Sequence, residues 1–315
     1  MTERGNMKYI TFAGSDQKVS TIVPGTMRIA GLSPKQFREL LAAAEEYGIN
    51  FLDFADIYGG GRSESLMGEL LAAEPSLREK FVIQSKCAIH RQNGIGFYDF
   101  SKEYILEAVD GILQRLQTEY LDVLLLHRPD ALMEPEEVAE AFDSLKRSGK
   151  VRMFGVSNMS PVQMQWLGSA LSVPLVANQM QLSAAFTSML DGNLNANTQT
   201  DAGIMRDGGT LEYCRMNDIV LQSWSSLQFG RFEGSFIGSE KYPELNAVLE
   251  TFAVKYGITP AAVALAWILR IPGKFQAVIG TTSPAHLREA AAAADVALSR
   301  EEWYRIYLAA GNQLP

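Results

Sequence analysis

The sequence predicts an α/β protein built as a (β/α)8 TIM barrel with an N-terminal β-hairpin. Short apolar runs alternate with amphipathic stretches along the 315 residues, and eight of the runs have the length of strands. The chain shows no sequence repeat and no low-complexity linker. The alternative fold, an open doubly wound sheet, usually carries a Gly-rich turn after its first strand, whereas this chain has Pro24-Gly25-Thr26-Met27 there.

The elements alternate in order after a hairpin near 8–12 and 18–20. We expect barrel strands at 21–23, 48–53, 81–86, 121–127, 151–155, 175–179, 219–223 and 276–280. We expect helices at 34–47, 63–72, 102–116, 135–147, from Ser160-Pro161 onward, and at 208–215, 242–256 and 260–269. Together they predict a single domain spanning 1–315.

Capping residues define several helix ends. Ser33 stands at an N-cap with Pro34 at the first helical position, and Gly48 follows the expected end of that helix. Ser101 is a second expected N-cap. The polar stretch from Ser183 to Asp207 is too long for an ordinary connection, so we expect a functional or mobile loop there.

Composition excludes several classes of function. The net charge of -8 argues against general affinity for nucleic acid, which needs a basic surface. The sequence has no apolar run of about 18 residues, so we expect no membrane span. The polar start at residues 1–6 lacks the apolar core of a signal peptide. Two cysteines, Cys87 and Cys214, make neither a disulfide framework nor a metal-binding spacing, so we expect no metal and a cytoplasmic location.

Four proton-carrying side chains stand at or just past three expected strand ends. Asp53 and Tyr58 follow the second strand, Lys86 ends the third and His127 ends the fourth. In a (β/α)8 barrel the active site lies at the carboxyl ends of the strands, so these groups should converge on one mouth.

This set suits protonation of an alkoxide that forms at a carbonyl carbon. A tyrosine is a poor acid at neutral pH because its reference pKa is about 10. A neighbouring Lys86 ammonium would stabilise the phenolate and lower that pKa, and Asp53 would hold the ammonium in place. His127 would orient the carbonyl oxygen beside Tyr58.

The ordered motifs resemble the aldo-keto reductase family over nearly the whole chain, including a bacterial branch of predicted oxidoreductases. The Asp-x-Ala-x-x-Tyr-Gly pattern from Asp53 to Gly59 matches that family, as does Lys86. Further matches are Leu-Leu-Leu-His-Arg-Pro-Asp at 124–130, Gly-Val-Ser-Asn at 155–158, Gln179, Trp-Ser-Ser-Leu at 224–227 and Ile-Gly-Thr-Thr-Ser-Pro at 279–284.

The resemblance implies NADPH-dependent reduction of an aldehyde or ketone, with Tyr58 as proton donor and a monomeric protein. Ser157, Asn158 and Gln179 would bind the nicotinamide carboxamide, and Trp224 would stack on the nicotinamide ring. The other implied cofactor contacts are Ser225, Leu227 and Gly230 at the pyrophosphate, Gly25, Thr26 and Met27 near the nicotinamide ribose, and Gly280, Thr281 and Thr282 at the adenosine phosphate.

The adenosine end departs from the family pattern. Many NADPH-preferring members carry lysine, serine and a later arginine where this chain has Thr281, Thr282 and His286. Two fixed positive charges are therefore missing, and Arg288 is the nearest residue that would compensate. We expect NADP(H) as the cofactor, with a smaller preference over NAD(H) than is usual in the family.

Two other functions stay open at this point. The second hypothesis is that the chain is a nicotinamide-binding regulatory or sensor subunit with slow turnover, as some members of the family are. A barrel isomerase or lyase without nicotinamide is the third hypothesis. Expected substrate-lining residues are largely apolar, which favours a moderately hydrophobic small carbonyl compound; they are Met27, Ile57, Tyr58, Phe97, Trp224 and the 183–207 loop.

Overall fold

A computed structural model describes residues 7–92 and 94–315, so the expectation about a signal peptide at 1–6 lies outside the described residues. The strands are β1 Tyr9–Thr11, β2 Lys18–Ser20, β3 Ile22–Pro24, β4 Phe51–Asp53, β5 Val82–Cys87, β6 Ile89–Gln92, β7 Ile95–Tyr98, β8 Leu121–Leu126, β9 Val151–Ser157, β10 Leu175–Gln181, β11 Val220–Trp224, β12 Gln228–Phe229, β13 Gly234–Ser235 and β14 Phe275–Ile279. The α-helices are α1 Pro34–Glu46, α2 Arg62–Ala73, α3 Leu77–Lys80, α4 Lys102–Leu116, α5 Pro135–Arg147, α6 Pro161–Gly168, α7 Ser188–Leu194, α8 Thr210–Met216, α9 Pro243–Tyr256, α10 Pro260–Leu269, α11 Pro284–Ala291 and α12 Arg300–Ala309.

Eight parallel strands form the barrel in the order β3-β14-β11-β10-β9-β8-β5-β4. The two end strands meet through a parallel bridge between Gly25 and Asp53. The Thr26 hydroxyl also donates a hydrogen bond to the Asp53 carbonyl oxygen at 2.9 Å. The predicted (β/α)8 barrel is therefore confirmed.

The N-terminal hairpin closes the amino-terminal end of the barrel. Strands β1 and β2 pair antiparallel, as predicted. Phe12 and Val19 are fully buried and pack with Val23, Phe51 and other apolar side chains of the barrel interior. This apolar floor leaves the opposite end of the barrel, where the strands point, for polar side chains.

Most predicted helix ends agree with the structure because local capping chemistry defines them. At α1 the Ser33 side chain accepts from the Gln36 N–H while the Gln36 side chain accepts from the Ser33 N–H, which is a capping box. Ser101 caps α4 by accepting from the Tyr104 N–H, and α4 has the predicted bounds. Boundaries elsewhere differ by one to three residues, as at the first barrel strand.

The structure also contains elements that the sequence pattern does not predict. The antiparallel pair β6–β7 directly follows the carboxyl end of β5, the third barrel strand. The 183–207 segment, expected as a functional or mobile loop, contains α7 and a 3₁₀ turn at Asp201–Gly203. Helices α11 and α12 follow the last barrel strand. These pieces surround or cover the barrel after its eight strands are in place.

Among residues 7–92 and 94–315, no single helix is long and apolar enough to cross a membrane. Helices α9 and α10 reach that length together, but they are bent by 90° at their junction. Cys87 and Cys214 are buried free thiols.

Candidate active site

Asp53, Tyr58 and Lys86 meet at the carboxyl end of the barrel, as the sequence predicts. Lys86 lies on β5, is fully buried, and its ammonium group is 2.8 Å from the Asp53 carboxylate. The same nitrogen donates to the Phe54 carbonyl oxygen at 2.9 Å and to the Tyr58 hydroxyl at 3.1 Å. An ammonium group has three protons to donate, so these three acceptors satisfy it completely.

A run of three glycines places the Tyr58 side chain. Gly59, Gly60 and Gly61 have φ values of 60°, 63° and 88°, which L-residues with a Cβ rarely adopt. A Cβ on Gly59 would lie 2.4 Å from the Cβ of Ala30. The chain can therefore turn tightly into α2 directly after Tyr58 and keep its hydroxyl against Lys86.

Side-chain amides hold the far side of the Asp53 carboxylate. Asp53 Oδ1 accepts from Gln84 Nε2 at 2.6 Å and from Gln179 Nε2 at 3.1 Å. Both of these nitrogens also donate to Gln222 Oε1, at 2.9 and 3.1 Å. The carboxylate thus has amide donors on one side and the Lys86 ammonium on the other.

The amide contacts continue across the barrel interior. Gln222 Nε2 donates to Gln84 Oε1 at 3.0 Å and to Gln276 Oε1 at 2.8 Å. Gln276 Nε2 donates to the Ser20 carbonyl oxygen at 2.8 Å. This network was not predicted from the sequence, although a glutamine inside each of four barrel strands was a visible signal.

Burial and charge set the protonation states of this centre. Burial disfavours the charged form of Lys86, but the Asp53 and Tyr58 charges outweigh it and raise the pKa of Lys86. Burial raises the pKa of Tyr58, and the Lys86 charge only partly opposes that rise. The expectation that Lys86 lowers the Tyr58 pKa below its usual value is therefore wrong in net direction, because desolvation of the phenolate dominates. Tyr58 is a neutral phenol at neutral pH.

His127 lies beside Tyr58 as a neutral imidazole. Their rings meet edge to face with centroids 5.9 Å apart. Burial and the nearby Lys86 and Arg128 charges lower the pKa of His127 well below its usual value. Its buried Nδ1 atom has no hydrogen-bond partner within the described residues. A neutral imidazole carries one N–H, so His127 can donate one hydrogen bond to a substrate oxygen.

Asn158 links the residues expected at the nicotinamide. It has φ 60°, a left-handed conformation that asparagine tolerates, and its amide nitrogen donates to the Ser157 hydroxyl at 2.7 Å. Its amide oxygen accepts from Trp224 Nε1 at 3.0 Å. Ser157 in turn donates to the Gln179 carbonyl oxygen at 2.8 Å. The strand ends β9, β10 and β11 therefore bring these four residues together.

The loop after Trp224 folds back over the mouth. The backbones of Ser225 and Gly230 are left-handed, with φ 53° and 54°. The Ser225 hydroxyl bonds to the Gln228 side chain, Leu227 is partly buried against the core, and Gln181 donates to the Gly230 carbonyl oxygen at 2.5 Å. The turns through Ser225 and Gly230 expose backbone close to Trp224, where a phosphate group can approach.

The segment after the first barrel strand borders the same mouth. The Gly25 N–H donates to the Ile279 carbonyl oxygen at 2.8 Å, and a Cβ there would come within 2.9 Å of Val278. Thr26 is buried, whereas Met27 is 42% exposed and free to contact a ligand. These positions lie at the carboxyl ends of the paired strands β3 and β14, where the expected cofactor would border the mouth.

The residues expected at the adenosine end of the cofactor are more exposed than those at the centre of the site. Gly280, Thr282 and His286 are exposed, and the Thr281 hydroxyl accepts from the Ser283 N–H at 3.1 Å in the turn that starts α11. Arg288 Nε lies 3.2 Å from the Glu46 carboxylate on α1. Arg288 is thus engaged with a neighbouring helix and does not supply an uncommitted charge.

A cavity of about 350 Å³ lies at the mouth beyond Trp224 and Asn158. Its lining includes Arg128, Arg206 and Arg231, which the sequence analysis did not select. For Arg128 and Arg231, the positions directly after His127 and Gly230 were the available signal. The cavity also has apolar walls from Met180, Phe186 and Met189.

Comparisons with known proteins agree with this geometry. The aldo/keto reductase family model matches residues 21–309. The chain is 35% identical over 308 residues to a 6-dehydroglucose reductase of Agrobacterium fabrum, covering 94% of this chain and 96% of that protein. It is 34% identical over 313 residues to oxidoreductase YdhF of Escherichia coli, covering 97% and 99%. An aldo-keto reductase from Klebsiella pneumoniae, solved in complex with NADPH, superposes with a TM-score of 0.73 at 27% identity, covering 95% and 94% of the two chains. The chain belongs to the aldo/keto reductase family of oxidoreductases.

Proposed function

We propose that this chain reduces aldehydes or ketones to alcohols with NADPH, and that Tyr58 donates the proton. One observation carries the proposal. Lys86 donates a 3.1 Å hydrogen bond to the Tyr58 hydroxyl while its other two donors are held by Asp53 and Phe54. The ammonium group therefore cannot turn away from the phenolate that forms when the proton leaves.

Each polar group of the site has a separate part in this reaction. His127 donates to the carbonyl oxygen and places it beside the Tyr58 hydroxyl. Tyr58 transfers its proton to the developing alkoxide, and Lys86 then stabilises the phenolate. Asp53 keeps Lys86 charged and in position, since an unpaired buried ammonium would lose its proton.

The residues at the mouth fit a nicotinamide cofactor. Asn158 and Ser157 present an amide and a hydroxyl next to the half-buried Trp224 ring, which offers a face for stacking. Bound there, the cofactor supplies the hydride that reduces the carbonyl carbon. The NADPH complex of the Klebsiella pneumoniae relative supports NADP(H) as the cofactor class.

The Tyr58→Phe variant tests the proton-donor role. General acid catalysis contributes about 10²- to 10⁴-fold, so we expect kcat to fall by about that factor with an aldehyde panel. The Kd for NADPH, measured by quenching of tryptophan fluorescence, should stay close to that of the unmodified protein, because the Tyr58 hydroxyl is bonded to Lys86 and is not among the expected cofactor contacts.

Tyr120→Phe is the matched control, because Tyr120 stacks with Arg78 and Arg152 away from the site. Full activity in Tyr58→Phe would refute the role of Tyr58. Tight NADPH binding by the unmodified protein, without turnover of any carbonyl compound, would instead support the regulatory or sensor alternative. The monomeric state, the single domain and the cytoplasmic location stay predictions.

A further inference from the structure

Two arginine side chains at the mouth carry charge that nothing in the described structure neutralises. Arg128 follows His127, is half-buried, and its guanidinium carbon lies 5.5 Å from the centroid of the Trp224 ring. Arg231 lines the same cavity of about 350 Å³. Within 7–92 and 94–315, neither guanidinium group forms an ion pair or a hydrogen bond with another residue.

The two positive charges act on each other across the cavity. Burial and the charge of Arg231 lower the pKa of Arg128. Arg231 is exposed, whereas Arg128 is partly desolvated, and a second positive charge near a partly desolvated guanidinium is unfavourable unless an anion joins them. An arginine guanidinium has a planar set of donors that matches a carboxylate or phosphate, so an oxyanion is the ligand that this arrangement favours.

The other charged groups on the cavity wall are already committed. Asp207 accepts from the Gly209 and Thr210 N–H groups, at 3.3 and 3.1 Å, where α8 begins. Arg206 donates to the carbonyl oxygens of Asp201 and Ile204. Arg128 and Arg231 are thus the cationic lining groups that remain available for a ligand.

The position of Arg128 connects this cavity with the reaction centre. Arg128 adjoins His127, and its charge acts on the Tyr58 hydroxyl. An anionic group held by Arg128 would therefore lie close to a carbonyl held between Tyr58 and His127. The apolar lining expected from the sequence describes only part of this mouth.

We propose that Arg128 and Arg231 form a subsite for an oxyanion carried by the carbonyl substrate, so that the preferred substrates are aldehydes or ketones bearing a carboxylate or a similar anionic group. This inference rests on the proposed carbonyl reduction. The diphosphate of the cofactor is the other source of an oxyanion here, because Arg231 follows Gly230, and the experiment distinguishes the two sources.

The test compares 4-carboxybenzaldehyde with methyl 4-formylbenzoate, which are similar in size and differ by one negative charge. In the unmodified protein we expect a higher kcat/KM for the carboxylate. Arg128→Gln and Arg231→Gln should each lower the ratio of kcat/KM for the acid to that for the ester by about 10-fold or more, since a hydrogen bond between two charged groups is lost. The exposed Arg300 lies on α12, so Arg300→Gln should leave the ratio unchanged and controls for net charge.

The Kd for NADPH, measured by tryptophan fluorescence in the same variants, identifies the source of the anion. A fall in the acid-to-ester ratio with a Kd within about twofold of the unmodified protein supports the substrate subsite. A raised Kd with an unchanged ratio assigns the arginines to the cofactor diphosphate and overturns the proposal. Turnover of both aldehydes without preference for the acid also overturns it and leaves carbonyl reduction intact, whereas turnover of no carbonyl compound overturns the function itself.

Discussion

The buried interior end of the site and its expected adenosine end differ in the burial and pairing of their charged groups. At the interior end, Lys86 and Asp53 are fully buried and every donor of Lys86 has an acceptor. At the adenosine end, His286 is exposed and Arg288 shares a surface ion pair with Glu46, with both side chains 44% exposed.

This difference indicates which part of the site tolerates substitution and which part does not. A buried charge tolerates little change, because any lost partner leaves an uncompensated ion in a medium of low dielectric. An exposed charge is screened by water and contributes little to any one contact. In the proposed function, the reaction chemistry is therefore tied to the interior, and we expect cofactor and substrate choice to depend on side chains at the rim.

The largest expected effect follows from removing the buried cation with Lys86→Met. Asp53 would then be buried without its ion-pair partner, which costs about 3–5 kcal/mol of unfolding free energy. We also expect turnover to be lost, since the Tyr58 phenolate loses its stabilising charge. Urea unfolding and steady-state kinetics on the same sample measure both effects.

Lys274→Met is the matched control for that variant. Lys274 pairs with Asp218 on the surface, so its removal should cost less than about 1 kcal/mol and leave turnover intact. Equal losses of stability in the two variants would contradict the contrast between interior and rim.

Asp56 provides a second test of the contrast between buried and exposed charges, because it is a largely buried carboxylate without a cation in direct contact. Burial and the Glu64 charge raise the pKa of Asp56 to about 7, and its buried Oδ1 has no partner among the described residues. The folded protein holds this proton more tightly than the unfolded chain, so stability is lost as pH rises from about 4 to about 7.

Asp56→Asn should remove that loss. We expect equal unfolding free energies near pH 4 and a variant that is more stable by on the order of 2 kcal/mol at pH 8, allowing for partial solvent access. Urea denaturation at a series of pH values provides the measurement. A difference that does not change with pH would show that Asp56 is ionised without cost.

Gln84→Leu probes the amide network behind Asp53. The variant removes the 2.6 Å donor to Asp53 Oδ1, so the carboxylate can rotate away from Lys86. We expect kcat to fall about 10-fold, consistent with about 1.4 kcal/mol for a hydrogen bond to a charged group, while the Kd for NADPH is unchanged.

Gln276→Leu is its control at the other end of the network, where Gln276 contacts Gln222 and the Ser20 carbonyl. It should lower stability to a similar extent but leave kcat within about twofold. Similar losses of kcat in both variants would assign Gln84 a purely structural role.

The smallest expected effect concerns cofactor preference. We expect the unmodified protein to prefer NADPH over NADH by a modest margin. Arg288→Ala should lower the ratio of kcat/KM for NADPH to that for NADH by no more than about fivefold, because exposed ion-pairing charges contribute about 0–1 kcal/mol. A clear NADH preference in the unmodified protein would contradict the prediction from Thr281, Thr282 and His286.

Local patterns predicted most of the barrel and missed what lies over it. Ser33 and Ser101 identify their helix starts because a cap satisfies backbone N–H groups within three residues. The β6–β7 hairpin and α7 were not predicted, because their short segments gain stability from packing at the mouth and carry no strong periodic pattern.

The sequence by itself predicted the fold class and selected Asp53, Tyr58, Lys86 and His127 as the proposed reacting set. Strand periodicity and the rule that strand ends converge are local and topological, so they can be followed along the chain. The tertiary structure alone decided the net pKa of Tyr58, the amide network behind Asp53 and the meeting of Arg128 with Arg231. Those properties depend on burial and on distances between residues far apart in the chain, which closure of the barrel creates.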